Sequence, residues 1–277
     1  MGIFCECDSR KRFVLAFNHI GSKDNPLVKR IVRLANESKF RHSEAQAVIY
    51  GEHLLQEAIK YGLVEQVLIL EDAVTKYQDL INSLTNPQAI KLVPIEIMRK
   101  LNILDSLSEI VAVIKIKPTL AEPSLTQDSL VLENIQDPGN LGTILRAAYA
   151  SGITQIVLSP KSVDAYNPKV LRASQGIQFG LQIYTEIELG QWLDKYRGQV
   201  LAMVPQANLN LYQQDLLLTT ALVLGNEGNG LSRELLAQLK TQISIPMLGG
   251  AESLNLAMAA TIGLFEMSRQ RVVNQRK

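Results

Sequence analysis

The chain has 277 residues, 47% hydrophobic and 20% charged, which exceeds one average domain and points to two globular ones. No apolar run approaches the roughly 18 residues of a bilayer-spanning helix, and Glu6 stands where a myristoylation signal needs Ser or Thr. Cys5 and Cys7, with His19, His42 and His53 not spaced to join them, predict no metal site and fit a reducing, cytoplasmic setting. The net charge of +1 hides an uneven distribution: residues 1–41 hold nine Lys or Arg against four Asp or Glu. Arg269, Arg271, Arg276 and Lys277 follow the last acid, Glu266. Such basic ends suit a polyanion and plain solvation equally.

Residues 1–24 carry no sustained periodicity and read as a flexible extension. Asn25-Pro26 opens a helix to about residue 38, with Leu27, Ile31 and Leu34 on one face. Phe40-Arg41-His42 reads as a linker. A second helix spans residues 51–59 and stops at Gly62. A strand at 65–70, a helix at 73–84, a strand at 89–93, a helix at 94–101 and a strand at 110–116 complete a small α/β unit. Pro118 and Pro123 mark an extended connector, so the domains are expected at 25–120 and 121–277. Strands then fall at 129–133, 155–159, 181–185, 199–204, 220–224 and 242–245, with helices at 141–151, 168–174, 188–196 and 233–240. Strands alternating with helices imply a mostly parallel sheet covered on both faces. A helix from 254 to about 269, apolar nearly all round, is either a central core helix or a homodimer interface.

Several familiar chemistries are excluded by spacing. Gly225, Gly228 and Gly230 do not make G-x-G-x-x-G, no Gly-Lys-Ser/Thr makes a P-loop, and no Gly-x-Ser-x-Gly elbow occurs. The histidines all lie within the first 53 residues, which argues against a histidine base. What remains is a set of polar residues in glycine-punctuated loops at strand ends, the usual place for a polar small molecule in an open α/β sheet. Asn134 follows the first strand of the second domain, and Arg146 lies in the next helix. Glu227 sits among the glycines after a buried apolar run, where it can accept hydrogen bonds from a ligand or from Arg146. Ser253 and Asn255 precede the last helix. Taken singly, each also has a plain structural role: an arginine paired with an acid, a glutamate at a helix N-terminus, two capping residues.

Three ordered motifs carry a resemblance. Residues 134–146 read N-x-x-D-P-x-N-x-G-x-x-x-R, residues 225–232 read G-N-E-G-x-G-L-S, and residues 245–256 read I-P-M followed by S-L-N-L. The chain resembles the SpoU (TrmH-like) branch of the SPOUT RNA methyltransferases over about residues 128–271. Asn25-Pro26-Leu27-Val28-Lys29 and Gly51-Glu52-His53-Leu54 resemble the L30e-like RNA-binding module that precedes this domain in several members. Ile49-Tyr50-Gly51 departs from the family's hydrophobic-Val-Glu-Gly there. The resemblance implies a trefoil-knotted α/β fold, a homodimer, and S-adenosylmethionine held by Gly225, Ile245 and Leu254 with Met247 nearby. It implies methyl transfer to a ribose 2′-hydroxyl of RNA, with Arg146 essential and Asn134, Glu227, Ser253 and Asn255 positioning the reactants. Lys169 and Arg172, and more weakly Arg41, are expected to contact RNA. Ribosomal RNA is the expected substrate. The alternatives are transfer RNA, or a catalytically silent RNA-binding dimer.

Overall fold

The computed structural model describes residues 17–84, 86–104, 106–116 and 122–274. Cys5, Cys7, the first sixteen residues of the expected extension, Arg276 and Lys277 lie outside them. One unit falls within residues 1–117 with 166–168, a second within 118–165 and 169–277.

The first unit contains strands β1 (Asn18–His19), β2 (Gln46–Tyr50), β3 (Val64–Leu70), β4 (Ile90–Val93) and β5 (Ile110–Lys115). Its helices are α1 (Pro26–Asn36), α2 (Ser38–Glu44), α3 (Glu52–Lys60), α4 (Gln78–Asn82) and α5 (Ile95–Leu101). Among the described residues the sheet order is β1-β4-β3-β5-β2. The β1–β4 and β4–β3 pairs are parallel, and β5 runs antiparallel to β3 and β2. Ile31 and Leu34 of α1, Met98 of α5 and Leu68, Val93 and Val111 of the strands share one core.

Three expectations for this unit are corrected. Part of the proposed extension is an edge strand, β1, and the following Ile20 is buried. Residues 46–50 form a strand, fully paired with β5, that periodicity alone did not reveal. The expected linker at Phe40-Arg41-His42 is part of α2. That helix has no apolar stripe; it is anchored by Arg41, which is only 2% exposed. The Arg41 guanidinium donates to the carbonyls of Leu34 (2.7 Å) and Ala35 (3.2 Å) at the end of α1. It satisfies helix-terminal acceptors that would otherwise be buried unpaired. Arg41 is therefore not an RNA contact in this structure but a bond between two helices.

The second unit contains β6 (Ser129–Leu132), β7 (Gln155–Leu158), β8 (Gln182–Tyr184), β9 (Gln199–Met203), β10 (Leu209–Asn210), β11 (Thr220–Leu224) and β12 (Gln242–Ser244). Its helices are α6 (Pro138–Ala150), α7 (Pro168–Ser174), α8 (Leu189–Lys195), α9 (Arg233–Gln238) and α10 (Leu256–Asn274). The order β10-β12-β9-β11-β6-β7-β8 is parallel throughout among the described residues. The chain runs outward from β6 through β7 to β8, then crosses to the other side of β6. The order therefore reverses between β6 and β11, and the loops leaving these two strands meet at one edge, where such sheets form ligand crevices. On one face Trp192 and Leu193 of α8 and Leu235 and Leu239 at α9 pack on Val131 and Val223.

Glycines permit the closest contacts. A Cβ at Gly142 would lie 2.5 Å from Ala173 Cβ and 2.8 Å from the Val170 carbonyl, so α6 and α7 meet backbone to backbone. A Cβ at Gly263 would lie 2.7 Å from Met203 Sδ, which places α10 hard against the sheet. One side of α10 is thus core, while Met258, Phe265, Val272 and Val273 stay exposed. Near the basic end of the chain, both described arginines are paired: Arg271 makes a double hydrogen bond to Asp128 (2.7 and 2.8 Å) and Arg269 pairs with Glu266.

Replacing Arg41 with Met is expected to destabilise the protein by about 1–3 kcal/mol, the cost of leaving buried acceptors unpaired. Chemical denaturation of the full chain measures this; an unchanged midpoint would show that the guanidinium is dispensable.

Candidate active site

The loop after β11 is a tight ring. Asn226 and Gly230 exchange two backbone hydrogen bonds of 2.9 Å each, and Gly230 takes a φ of +66°. A Cβ on Gly225 would fall 2.1 Å from the Gly230 carbonyl carbon, so the loop can close only with glycine there. The Asn226 side chain holds the ring from within, its Oδ1 accepting from the Gly228 and Asn229 amides. Its Nδ2 donates to the Asn134 carbonyl at 2.9 Å, tying the loop to the end of β6. A second tie is Glu133, whose carboxylate accepts from both the backbone N and Oγ of Ser232 at 2.7 Å.

Beside this ring lies a cavity of about 440 Å³. Gly225, Glu227, Ile245, Met247, Ser253 and Leu254 all line it, with Met203, Leu224 and Leu256 adding apolar wall. Six of the residues singled out by sequence are thus brought together from two loops that are about twenty residues apart in the chain.

Glu227 faces the start of α6. Its carboxylate accepts from the Asp137 amide (3.1 Å), the Gln136 amide (3.3 Å) and Asn140 Nδ2 (3.3 Å). It does not bond Arg146, one of the two partners expected for it. Arg146 is exposed on α6 and has no hydrogen-bonding or ionic partner among the described residues. The acid pairing that would make it merely structural is therefore absent among those residues. Asn255 caps α10, its Oδ1 accepting from the Ala257 (2.9 Å) and Met258 (3.3 Å) amides. Its Nδ2 donates to Asn140 Oδ1 at 3.1 Å.

Asn140 is the residue that sequence reasoning passed over. One side-chain amide donates to Glu227 and accepts from Asn255, joining the loop after β11 to the start of α10. Its only signal in the sequence is its place as the second asparagine of the N-x-x-D-P-x-N run, six residues after Asn134. Asn134 does something different. It sits at φ +51°, takes a hydrogen bond from Gln136 Nε2 on its Oδ1, and lines a separate cavity of about 570 Å³ with Glu133, Ser159 and Lys161. Lys169 and Arg172 are exposed on α7. Arg41 belongs to the other unit and is buried. No cluster of potential metal ligands occurs among the described residues.

The carboxyl edge of the parallel sheet thus carries a glycine ring, a cavity and an asparagine-linked carboxylate, and the chain that builds it is of the SpoU methylase class. Residues 128–265 match the SpoU rRNA Methylase family. The chain is 34% identical over 258 residues to an uncharacterised tRNA/rRNA methyltransferase of Synechocystis sp., spanning 91% of this chain and 94% of that one. It is 29% identical over 270 residues to the 23S rRNA (guanosine(2553)-2′-O)-methyltransferase RlmP of Bacillus subtilis, spanning 90% and 98%. A solved RNA 2′-O ribose methyltransferase matches with a TM-score of 0.79 at 31% identity, over 92% of this chain and 99% of that one. An AdoMet-bound rRNA methyltransferase from Sinorhizobium meliloti matches with a TM-score of 0.76 at 26% identity, over 91% and 98%. The chain belongs to the SpoU rRNA methylase family.

Substituting Gly225 with Ala is expected to force the ring open and lower stability by about 1–3 kcal/mol, the usual range for overpacking. Thermal unfolding would report it; a variant as stable as the parent would mean that the ring tolerates a Cβ.

Proposed function

We propose that this protein transfers a methyl group from S-adenosylmethionine to a ribose 2′-hydroxyl of ribosomal RNA. The observation that carries the reading is the Glu227–Asn140–Asn255 link, which sets two polar side chains beside the cavity, with an arginine that has no partner among the described residues on the helix that holds Asn140. The identity of the relatives supports it.

The cavity fits the cofactor. Its volume falls in the usual ligand-site range of roughly 300–1,000 Å³, and Met203, Leu224 and Leu256 give its wall apolar surface against which a methionine chain would pack. Gly225, Ile245 and Leu254 would hold the adenosyl part mainly through backbone groups, with Met247 packing against it. When bound, the cofactor supplies an electrophilic sulfonium methyl. The remaining work falls to the protein. A ribose hydroxyl is a poor nucleophile near neutral pH and must lose its proton as attack proceeds. A guanidinium is a standing cation, so Arg146 serves by its charge. It grips the phosphate next to the target ribose and orients the hydroxyl, whose proton passes to a phosphate oxygen or water. Glu227, Asn140, Ser253 and Asn255 hold the ribose and the reactive end of the cofactor in register. Asn134 fixes the loop through its strained backbone, and Lys169 and Arg172 bind phosphates.

The finer architecture follows from the same reading. Residues 25–120 form an L30e-like substrate-binding domain and 121–277 the methyltransferase domain, with the loops after β11 and β12 forming a trefoil knot. The exposed Met258 and Phe265 of α10 are the face on which a second copy docks. The enzyme works in the cytoplasm.

The test is methyl transfer from radiolabelled S-adenosylmethionine to total RNA from a strain lacking the gene, with ribosomal and transfer fractions separated and digested. A 2′-O-methyl nucleoside in the ribosomal fraction is expected; label confined to transfer RNA would move the substrate, and cofactor binding without any label would leave only an RNA-binding role. Arg146→Ala should lower transfer by about 10²–10³-fold or more while cofactor affinity and thermal midpoint hold; retained turnover would rule out the role given to it. Asn140→Ala should cost on the order of 10²-fold, because Glu227 and Asn255 lose their common partner.

A further inference from the structure

Among the described residues of the first 41, three arginines are held by the unit itself. Arg30 is bonded to Glu44. Arg33 makes two hydrogen bonds to Glu37 (3.1 and 3.2 Å) while stacked 3.8 Å above the Phe40 ring. Arg41 is buried. These three arginines are committed to the unit's own surface and core.

A different set of cations converges on the turn at residues 22–25, which leads into α1. Lys23 is exposed on the turn. Lys100, 77 residues away in the chain at the end of α5, donates its ammonium to the Lys23 carbonyl at 2.9 Å. Lys29, one turn into α1, lies 3.0 Å from Asp24. Arg99 is exposed beside Lys100. Residues 22–29 and 95–101 together hold four cations against Asp24 and Glu96. The Asp24 carboxyl is held below the usual carboxylate range, first by the Lys29 hydrogen bond and its charge, and also by the charge of Lys100. The Asp24 side chain is 83% exposed, so this pair is open to water and to any competing anion.

We propose that the turn at residues 22–25 is the surface by which the first unit grips RNA backbone, with Lys23, Lys29 and Lys100 on phosphates and Asp24 as the internal anion that Lys29 leaves when a phosphate arrives. The inference rests on the functional reading above and extends it to a particular surface. Lysines suit such a surface because each is a compact point charge on a flexible stem, which neutralises a phosphate without reading a base. An exposed lysine–carboxylate pair contributes little on its own, so exchanging it for a phosphate costs little.

The experiment measures binding of the full chain to a ribosomal RNA transcript at several salt concentrations between about 50 and 200 mM, where each phosphate contact contributes about 0.7–0.9 to the log–log slope. The K23Q/K29Q/K100Q variant should lose about 2–3 from that slope and bind S-adenosylmethionine as before. The R30Q/R33Q variant, whose guanidiniums bond Glu44 and Glu37 and not the turn at residues 22–25, should keep the parental slope. Asp24→Asn should act in the opposite direction and tighten binding by about 2–5-fold, the worth of an exposed ion pair released. An unchanged slope in the triple-lysine variant, or equal losses in the lysine and arginine variants, overturns the surface while leaving methylation by the parent chain intact. Weaker binding by Asp24→Asn would also overturn it. A parent chain that neither binds nor methylates RNA overturns the functional reading itself.

Discussion

The second unit depends on two buried parallel strands ending side by side. β6 and β11 pair over four residues, from Ala221 with Ser129 to Leu224 with Leu132, and the next amide, Glu133, donates to the Leu224 carbonyl. Because both strands run the same way, their loops leave at one edge. Because the strand order reverses there, no crossover helix covers the gap. Glu133 on Ser232 and Asn226 on the Asn134 carbonyl then lock the two loops together. The ring at Gly225–Gly230, the cavity beside it and the carboxylate of Glu227 all inherit their positions from this pairing.

Within that frame the site is organised through hydrogen bonds to backbone amides. Glu227 accepts from two successive amides ahead of α6, and Asn255 accepts from two at the start of α10. A single primary amide, with one donor end and one acceptor end, can satisfy both remaining needs, and Asn140 does so. An aspartate in its place would repel Glu227, and an apolar residue would leave Asn255 Nδ2 without its partner. The chemistry of the link thus calls for an amide side chain at residue 140.

Charge is arranged by the same logic of local pairing. Among the described residues, four arginines near the ends of the sequence find partners once the fold brings acids to them: Arg30 to Glu44, Arg33 to Glu37, Arg269 to Glu266 and Arg271 to Asp128. Arg146 stands apart, exposed and unpartnered among the described residues, on the helix that carries Asn140. A long cationic side chain with no internal anion keeps its field for an external one.

The sequence by itself determined the class of architecture and most of the cavity. The apolar runs at 129–133, 155–159 and 220–224, alternating with helices, read as strands of a parallel sheet, and the glycines after 224 as a turn; the structure adds that a Cβ has no room at Gly225. Glu227 and Ser253 were legible as polar residues in glycine-punctuated loops, whereas Gly225, Ile245, Met247 and Leu254 were legible only through the ordered motifs that carry the family resemblance. Tertiary structure decided what depends on contacts between distant segments. β2 and α2 lack a clear period and exist because β5 and the Arg41 guanidinium complete them. That Asn140 makes the link was decided by its meeting residues about ninety and about 115 positions away, and the fate of each arginine by which acid lay within reach. Periodicity carries no information about such meetings, because they are properties of the folded path and not of the neighbouring residues.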